Sequence, residues 1–151
     1  LATGSHIDTV PNGGRYDGAF GVLAGLEVVR VLHERQILLN RPLEVIVFTD
    51  EEGTMIGSKA MSGRVILDPA TYPRTDGIDI QTCLTRVGGD WERLTEARRT
   101  AADIAAFVEL HVEQGPVLEC LGKQIGVVEG IVGQRRYIIT VKGSSSHAGS
   151  T

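Results

Sequence analysis

Cysteine is scarce. Cys83 and Cys120 are the only two in 151 residues, they lie far apart, and neither belongs to a C-x-x-C pair. That excludes a disulfide framework and a zinc knuckle, and leaves a reduced, cytoplasmic setting as the expectation. Positive charge is not in excess either: 15 basic against 19 acidic side chains give a net charge of −4. No electrostatic footprint for nucleic acid results, and no basic run points to an anionic membrane. No apolar stretch approaches the ~20 residues a membrane span needs. The glycine-containing loop at residues 9–18 has neither phosphate-cradling spacing, G-x-x-x-x-G-K-[ST] or G-x-G-x-x-G, so nucleotide binding is set aside. Repeats and low-complexity tracts are missing. So is an initiator Met: the chain opens at Leu1 as though a strand were under way and stops at Thr151, just after a His-Ala-Gly turn. We therefore expect an internal fragment of a longer protein.

What is present centres on Val45-Ile46-Val47-Phe48-Thr49-Asp50-Glu51-Glu52-Gly53. The apolar run from Leu43 to Phe48, broken only by Glu44, reads as a buried strand. Three carboxylates come directly after it. Such a cluster at a strand end is unfavourable unless a cation offsets the repulsion, and carboxyl ends of strands are where ligands sit in open α/β sheets. A solvated acidic turn and a metal site both fit this stretch alone.

Residues 1–7 read as the end of another strand, with His6 and Asp8 on one face by their spacing. A hydrogen-bonded surface pair and a metal ligand backed by an acid both fit. Residues 19–37 have helical periodicity, with Leu23, Leu26 and Val29 marking turns that pack on a sheet, and Asp17 just before them suits an N-cap. Strand, helix, strand implies a βαβ unit with His6 and Glu51 at neighbouring carboxyl ends. A short helix comes next at 55–61, then a Pro-rich connection at 63–77 and two amphipathic helices at 78–86 and 90–99. Residues 107–113 alternate polar and apolar, like a third strand presenting His111 to a cleft. One or two helical turns are expected at 117–121. Residues 125–133 form a glycine-spaced β stretch and 136–143 a half-exposed strand. A domain boundary is placed near Gly130. The expected fold class is α/β, with helices packed on a largely parallel sheet and the start of a smaller α+β domain.

His6, Asp17, Glu51, Glu52 and His111 are ligands of the borderline-to-hard kind that suits zinc, manganese, cobalt or nickel. Without cysteine, the set fits a two-metal hydrolase better than a structural zinc site. One carboxylate can bridge two ions, and the Glu51-Glu52 pair supplies one ligand and one base.

Six segments carry a family resemblance: Gly4 to Val10, Tyr16-Asp17-Gly18, Thr49 to Gly53, His111-Val112-Glu113-Gln114-Gly115-Pro116-Val117-Leu118-Glu119, Val132 to Tyr137, and Ser146-His147-Ala148-Gly149. In this order they resemble the amidase and hydantoinase/carbamoylase branch of the metal-dependent aminoacylase superfamily, which includes N-carbamoyl-L-amino-acid hydrolase, allantoate amidohydrolase and β-ureidopropionase. The resemblance runs over essentially the whole chain, and its His-x-Glu-Gln-Gly-Pro-x-Leu-Glu segment is the most specific part. It implies two divalent ions (Zn, Mn, Co or Ni). His6 and His111 would hold one, Asp17 would bridge, and Glu52 would hold the other, with Glu51 as general base and Asp8 as a supporting acid. Gln114 would touch substrate. His147 would reach the partner subunit's site in a homodimer and help polarise the scissile carbonyl.

The resemblance further implies that residues 1–129 are part of the metal-binding catalytic domain and that 130–151 begin a lid and dimerisation domain. Its remaining histidine ligand, and the Asn and Arg that bind a substrate carboxylate, would lie beyond Thr151. The connection from Gly53 to Ser58 is shorter than is usual after the paired glutamates. The expected activity is hydrolysis of linear C–N bonds, foremost in N-carbamoyl-L-amino acids or similar ureido acids. An aminoacylase or dipeptidase of the same superfamily is the nearest alternative, and a non-catalytic dimerisation or ligand-binding fragment is another. The fragment alone is expected to bind metal poorly and turn over little.

Overall fold

The middle of the sheet is built from small residues. A computed structural model describes residues 1–149 apart from Thr75, Gln134 and Arg136. Its central strand, β1 (Ala2–His6), pairs in parallel along its whole length with β2 (Glu44–Phe48), from Ala2 opposite Glu44 to His6 opposite Phe48. On its other side β1 pairs in parallel with β3 (Phe107–Val108), giving the order β2-β1-β3. The α/β class with helices on a parallel sheet is the one expected.

Helix α1 (Ala19–Glu34) joins β1 to β2 and meets the sheet through Gly21, Val22 and Gly25, one face at helical spacing. A Cβ on Gly21 would lie 2.8 Å from the Cβ of Ser5 and 2.3 Å from the Leu110 carbonyl oxygen, so only glycine permits this approach. The expected leucine stripe is not the packed face: Leu23 and Leu26 are 58% and 53% exposed. Close backbone approach won over bulky apolar contact.

Beyond β2, a separate apolar cluster joins α2 (Ile56–Met61), α3 (Ile80–Arg86) and a 3-10 turn at Trp91–Ala97. It contains Ile56, Ala60, Tyr72, Ile80, Leu84, Trp91 and Leu94. Tyr72 and Trp91 meet edge to face at 6.0 Å, and the Tyr72 hydroxyl accepts the Ile66 N–H at 2.9 Å. Asp79 caps α3 by accepting the Thr82 N–H, and Asp90 accepts the Glu92 N–H at the start of the 3-10 turn. This cluster buttresses the acidic turn after β2, because Gly57 at the start of α2 donates to the Thr49 carbonyl at 3.1 Å.

The third strand is shorter than its alternation suggests. Only Phe107 and Val108 pair; the chain then leaves the ladder, its Leu110 carbonyl under α1 and Glu109 taken by Ser5 Oγ–H at 2.5 Å. The chain separates into two compact units, Leu1–Gly115 and Pro116–Thr151. In the second, α4 (Val117–Cys120) is the only regular element among the described residues. The β stretch expected at 125–133 and the described part, 137–143, of the strand expected at 136–143 are not formed: Ile131, Ile138 and Val141 are exposed, with no neighbouring strand among the described residues to complete a ladder. Gln134 and Arg136, which belong to one of the six segments, and Ser150 and Thr151 lie outside the described residues. Among the described residues no helix is long and apolar enough to cross a membrane.

Candidate metal centre

Parallel pairing places the last residue of β1, His6, opposite the last residue of β2, Phe48, so both strands deliver their downstream residues to one edge of the sheet. His6 is 3% exposed. Its ring lies against the N-cap of α1, where Gly18 adopts φ +68° and a Cβ would come within 2.4 Å of the imidazole. Glycine at this position therefore makes the ring's seat, a role that the sequence did not single out. Because Gly18 forms the cap without any side-chain bond, Asp17 is not occupied in capping.

The two histidines share one chemical arrangement. His6 Nδ1 lies 2.8 Å from the Asp8 carbonyl oxygen and His111 Nδ1 lies 2.9 Å from the Val112 carbonyl oxygen. A backbone carbonyl only accepts, so each Nδ1 carries the proton and each Nε2 is left with a lone pair when the ring is neutral. Those Nε2 atoms face carboxylates: His111 Nε2 is 3.4 Å from Asp17 Oδ1, and His6 Nε2 is 3.7 Å from Glu51 Oε2. Acceptor facing acceptor is repulsive unless a cation, metal or proton, lies between. The rings sit 5.8 Å apart, and donor atoms of His6, Asp17 and His111 all lie within 4.8 Å of one another. Around a tetrahedral ion with bonds of about 2.1 Å, donors stand roughly 3.4 Å apart, so modest side-chain rotation closes the group. Two imidazoles and a carboxylate are the donor chemistry of zinc and its neighbours, and the site fits such an ion.

Acids crowd the same edge. Asp8 Oδ2 accepts the Glu52 N–H at 3.0 Å, while its buried Oδ1 has no hydrogen-bond partner among the described residues and lies 3.7 Å from His6 Nδ1. Gln114 Nε2 donates to both oxygens of Asp17, at 2.9 and 3.0 Å, from a backbone with φ +56°. Glu52 is not one of the three clustered donors. Burial, then the charges of Asp17 and Glu51, raise its pKa above the ordinary 4.5; Asp8 adds to this and His6 partly offsets it. The proton held by Glu52 stabilises the metal-free fold fully below pH 4.5, and that contribution is lost as pH rises through the raised value. A cation needs the carboxylate bare, so it gains over the same window. Metal affinity of the full-length protein should therefore fall on acidification, by about tenfold per pH unit for each proton displaced. Calorimetric titration in buffers of different ionisation enthalpy measures this; affinity that is flat with pH, and no proton release, contradicts it.

His147 lies in the second unit, exposed, with its Nδ1 accepting the Gly149 N–H at 3.1 Å. The structure thus gathers His6, Asp17, His111, Glu51, Glu52, Asp8 and Gln114 at one edge of the first unit. Ser5, Gly18 and Glu109 support them in roles that the sequence did not assign.

The fold is an α/β domain with a candidate metal-donor cluster at one sheet edge, and the chain belongs to the peptidase family M20/M25/M40, whose family model matches residues 2–149. Among its relatives, an N-carbamoyl-L-amino acid amidohydrolase of Geobacillus stearothermophilus is 43% identical over 156 residues. That alignment covers 100% of this chain and 38% of the relative. An allantoate amidohydrolase of Bacillus subtilis is 44% identical over 157 residues, with the same two coverages. A Burkholderia cenocepacia protein solved by X-ray crystallography, and provisionally described as an amidohydrolase/peptidase, matches with a TM-score of 0.65 and 39% identity. The match covers 84% of this chain and 32% of that one. The chain spans 38% of the length of the first two relatives, and its match spans 32% of the third.

Proposed function

We propose that the full-length protein is a metal-dependent amidohydrolase that cleaves linear C–N bonds, most readily in N-carbamoyl-L-amino acids or related ureido acids. The observation that carries this reading is the convergence of His6, Asp17 and His111 donors within 4.8 Å, with Glu51 standing 3.7 Å from His6. The names of the related amidohydrolases support the bond type.

In this reading His6, Asp17 and His111 would hold one divalent ion, and Glu52, with Asp17, would help to hold a second. Such ions supply Lewis acidity, lowering the pKa of water and polarising a carbonyl oxygen. Glu51 takes the proton of the attacking water and returns it to the departing nitrogen. Cleavage of a carbamoyl group releases ammonia, carbon dioxide and the amino acid. Asp8 keeps the acidic turn in place through the Glu52 N–H. Gln114 holds Asp17 in the free protein and turns toward substrate when one is bound. Residues 130–151 begin a lid through which two copies pair, and His147 reaches the partner subunit's site to polarise the scissile carbonyl. The protein works in the cytoplasm.

The family description also includes peptidases, so the competing reading is an aminoacylase or dipeptidase. Rates on N-carbamoyl amino acids, N-acetyl amino acids and dipeptides separate the two. The proposal expects kcat/KM at least tenfold higher for N-carbamoyl or other ureido acids. A preference for acetyl or dipeptide substrates overturns it in favour of the rival, and no metal-dependent turnover of any of them overturns both.

A further inference from the structure

The turn that presents Glu51 and Glu52 begins with a residue in an unusual state. Asp50 is not glycine, yet its backbone has φ +53°, the left-handed region that side chains rarely adopt. Its carboxylate folds back beneath the turn. Oδ2 accepts the Thr54 N–H at 3.0 Å and also the Thr54 hydroxyl, and the Asp50 carbonyl accepts the Met55 N–H at 2.7 Å. Gly53 makes room, since a Cβ there would lie 2.5 Å from Asp50 Oδ1. That Oδ1 accepts from Arg74 Nη1 at 3.1 Å, and both side chains are about four-fifths buried (23% and 21% exposed). Arg74 is itself fixed from its other side: Nη2 and Nε donate to Asp76, whose Oδ1 accepts the Ile78 N–H.

The acidic turn is therefore clamped on two flanks by two carboxylates. Asp8 holds Glu52 from the end of β1, and Asp50 holds Thr54 from below. Among the described residues a guanidinium, that of Arg74, pairs with Asp50 and not with Asp8; the cavity around that pair is lined by Asp8, Thr49 and Cys83 as well as by the apolar Ile56, Ile80, Leu84 and Val87. Without Arg74, Asp50 is one more largely buried anion beside Asp8, Glu51 and Glu52, and the turn relaxes to hydrate it.

We propose that Arg74 is a positioning residue that, through Asp50, sets the geometry of the Glu51-Glu52 turn. This rests on the reading of Glu51 as the base. A misplacement of about 1 Å costs up to 10²-fold in rate, so Arg74→Ala in the full-length enzyme should lower kcat about 10- to 100-fold. KM should stay within about threefold and the ion held by His6, Asp17 and His111 should stay bound, because the hydrogen bonds of Arg74 go to Asp50 and Asp76 and not to these three donors. Arg74→Lys should recover part of the loss, and low-millimolar guanidinium should restore part of the Arg74→Ala rate. Arg74→Ala combined with Asp50→Asn should be no worse than Arg74→Ala alone, as expected when two residues act as one unit. Wild-type kcat in Arg74→Ala overturns the proposal. So does a loss that neither Lys nor guanidinium restores and that tracks the folded or metal-bound fraction. Glu51→Gln, run beside it, keeps the two ideas apart. An active Glu51→Gln sinks the reading of the base; an inactive one beside a fully active Arg74→Ala sinks this inference alone.

Discussion

Glu51→Gln in the full-length protein should abolish turnover, lowering kcat roughly a thousandfold or more, while leaving metal content nearly intact. The structure separates these two effects. Glu51 Oε2 approaches His6 Nε2 at 3.7 Å but is not among the donors of His6, Asp17 and His111 that lie within 4.8 Å of one another. Its side chain is 36% exposed, open to water at the edge of the sheet, whereas His6 is 3% exposed. Glutamine has the same shape and hydrogen-bonds well, but it cannot accept a proton at neutral pH. Elemental analysis alongside steady-state kinetics checks both halves. If metal leaves with the carboxylate, Glu51 is a ligand and the base must be sought elsewhere.

His111→Ala should do the opposite and remove the metal. His111 comes shortly after β3 and is held by its bond to the Val112 carbonyl. Losing a mere supporting partner of a ligand costs about 10- to 100-fold in metal affinity, and losing the ligand itself should cost more. Activity should vanish with it. A ligand that binds only the folded state stabilises by about 2.7 kcal/mol at a hundred times its Kd. The thermal midpoint of wild type should therefore drop on adding chelator, and that of His111→Ala should already be low and indifferent to chelator. The metal-free midpoints of the two proteins should nearly coincide, because His111 lies outside the buried clusters. Wild-type metal content in His111→Ala would remove this residue from the centre.

Much of this was legible in the chain, for physical reasons that can be named. The apolar run into Phe48, followed at once by three acids, marked a strand ending at an edge, although the strand is half-buried rather than buried, with Val47 44% exposed. The parallel pairing of His6 with Phe48 then came from strand, helix, strand. Other features were not legible. The sheet-facing stripe of α1 is glycine, so an apolar pattern pointed to leucines that are in fact exposed. Alternation at 107–113 marked a strand, but pairing stops at Val108 because Glu109 turns to Ser5 and Leu110 passes under α1. Alternation at 137–143 found no partner strand among the described residues. Asp17 read equally well as a cap, and only the cap formed by Gly18 shows that its carboxylate is left for other work. Arg74 lies in a Pro-rich connection 24 residues from Asp50, and no local pattern announces a bond across that distance. Such contacts depend on how separate elements dock, which spacing does not encode.

The most direct measurement is anomalous diffraction at the metal edge from crystals of the full-length protein grown with zinc or manganese. The account predicts a strong peak about 2.0–2.2 Å from the Nε2 atoms of both His6 and His111 and from a carboxylate oxygen of Asp17. A peak bound away from either imidazole, or none in a protein that turns over substrate only with metal added, would contradict it.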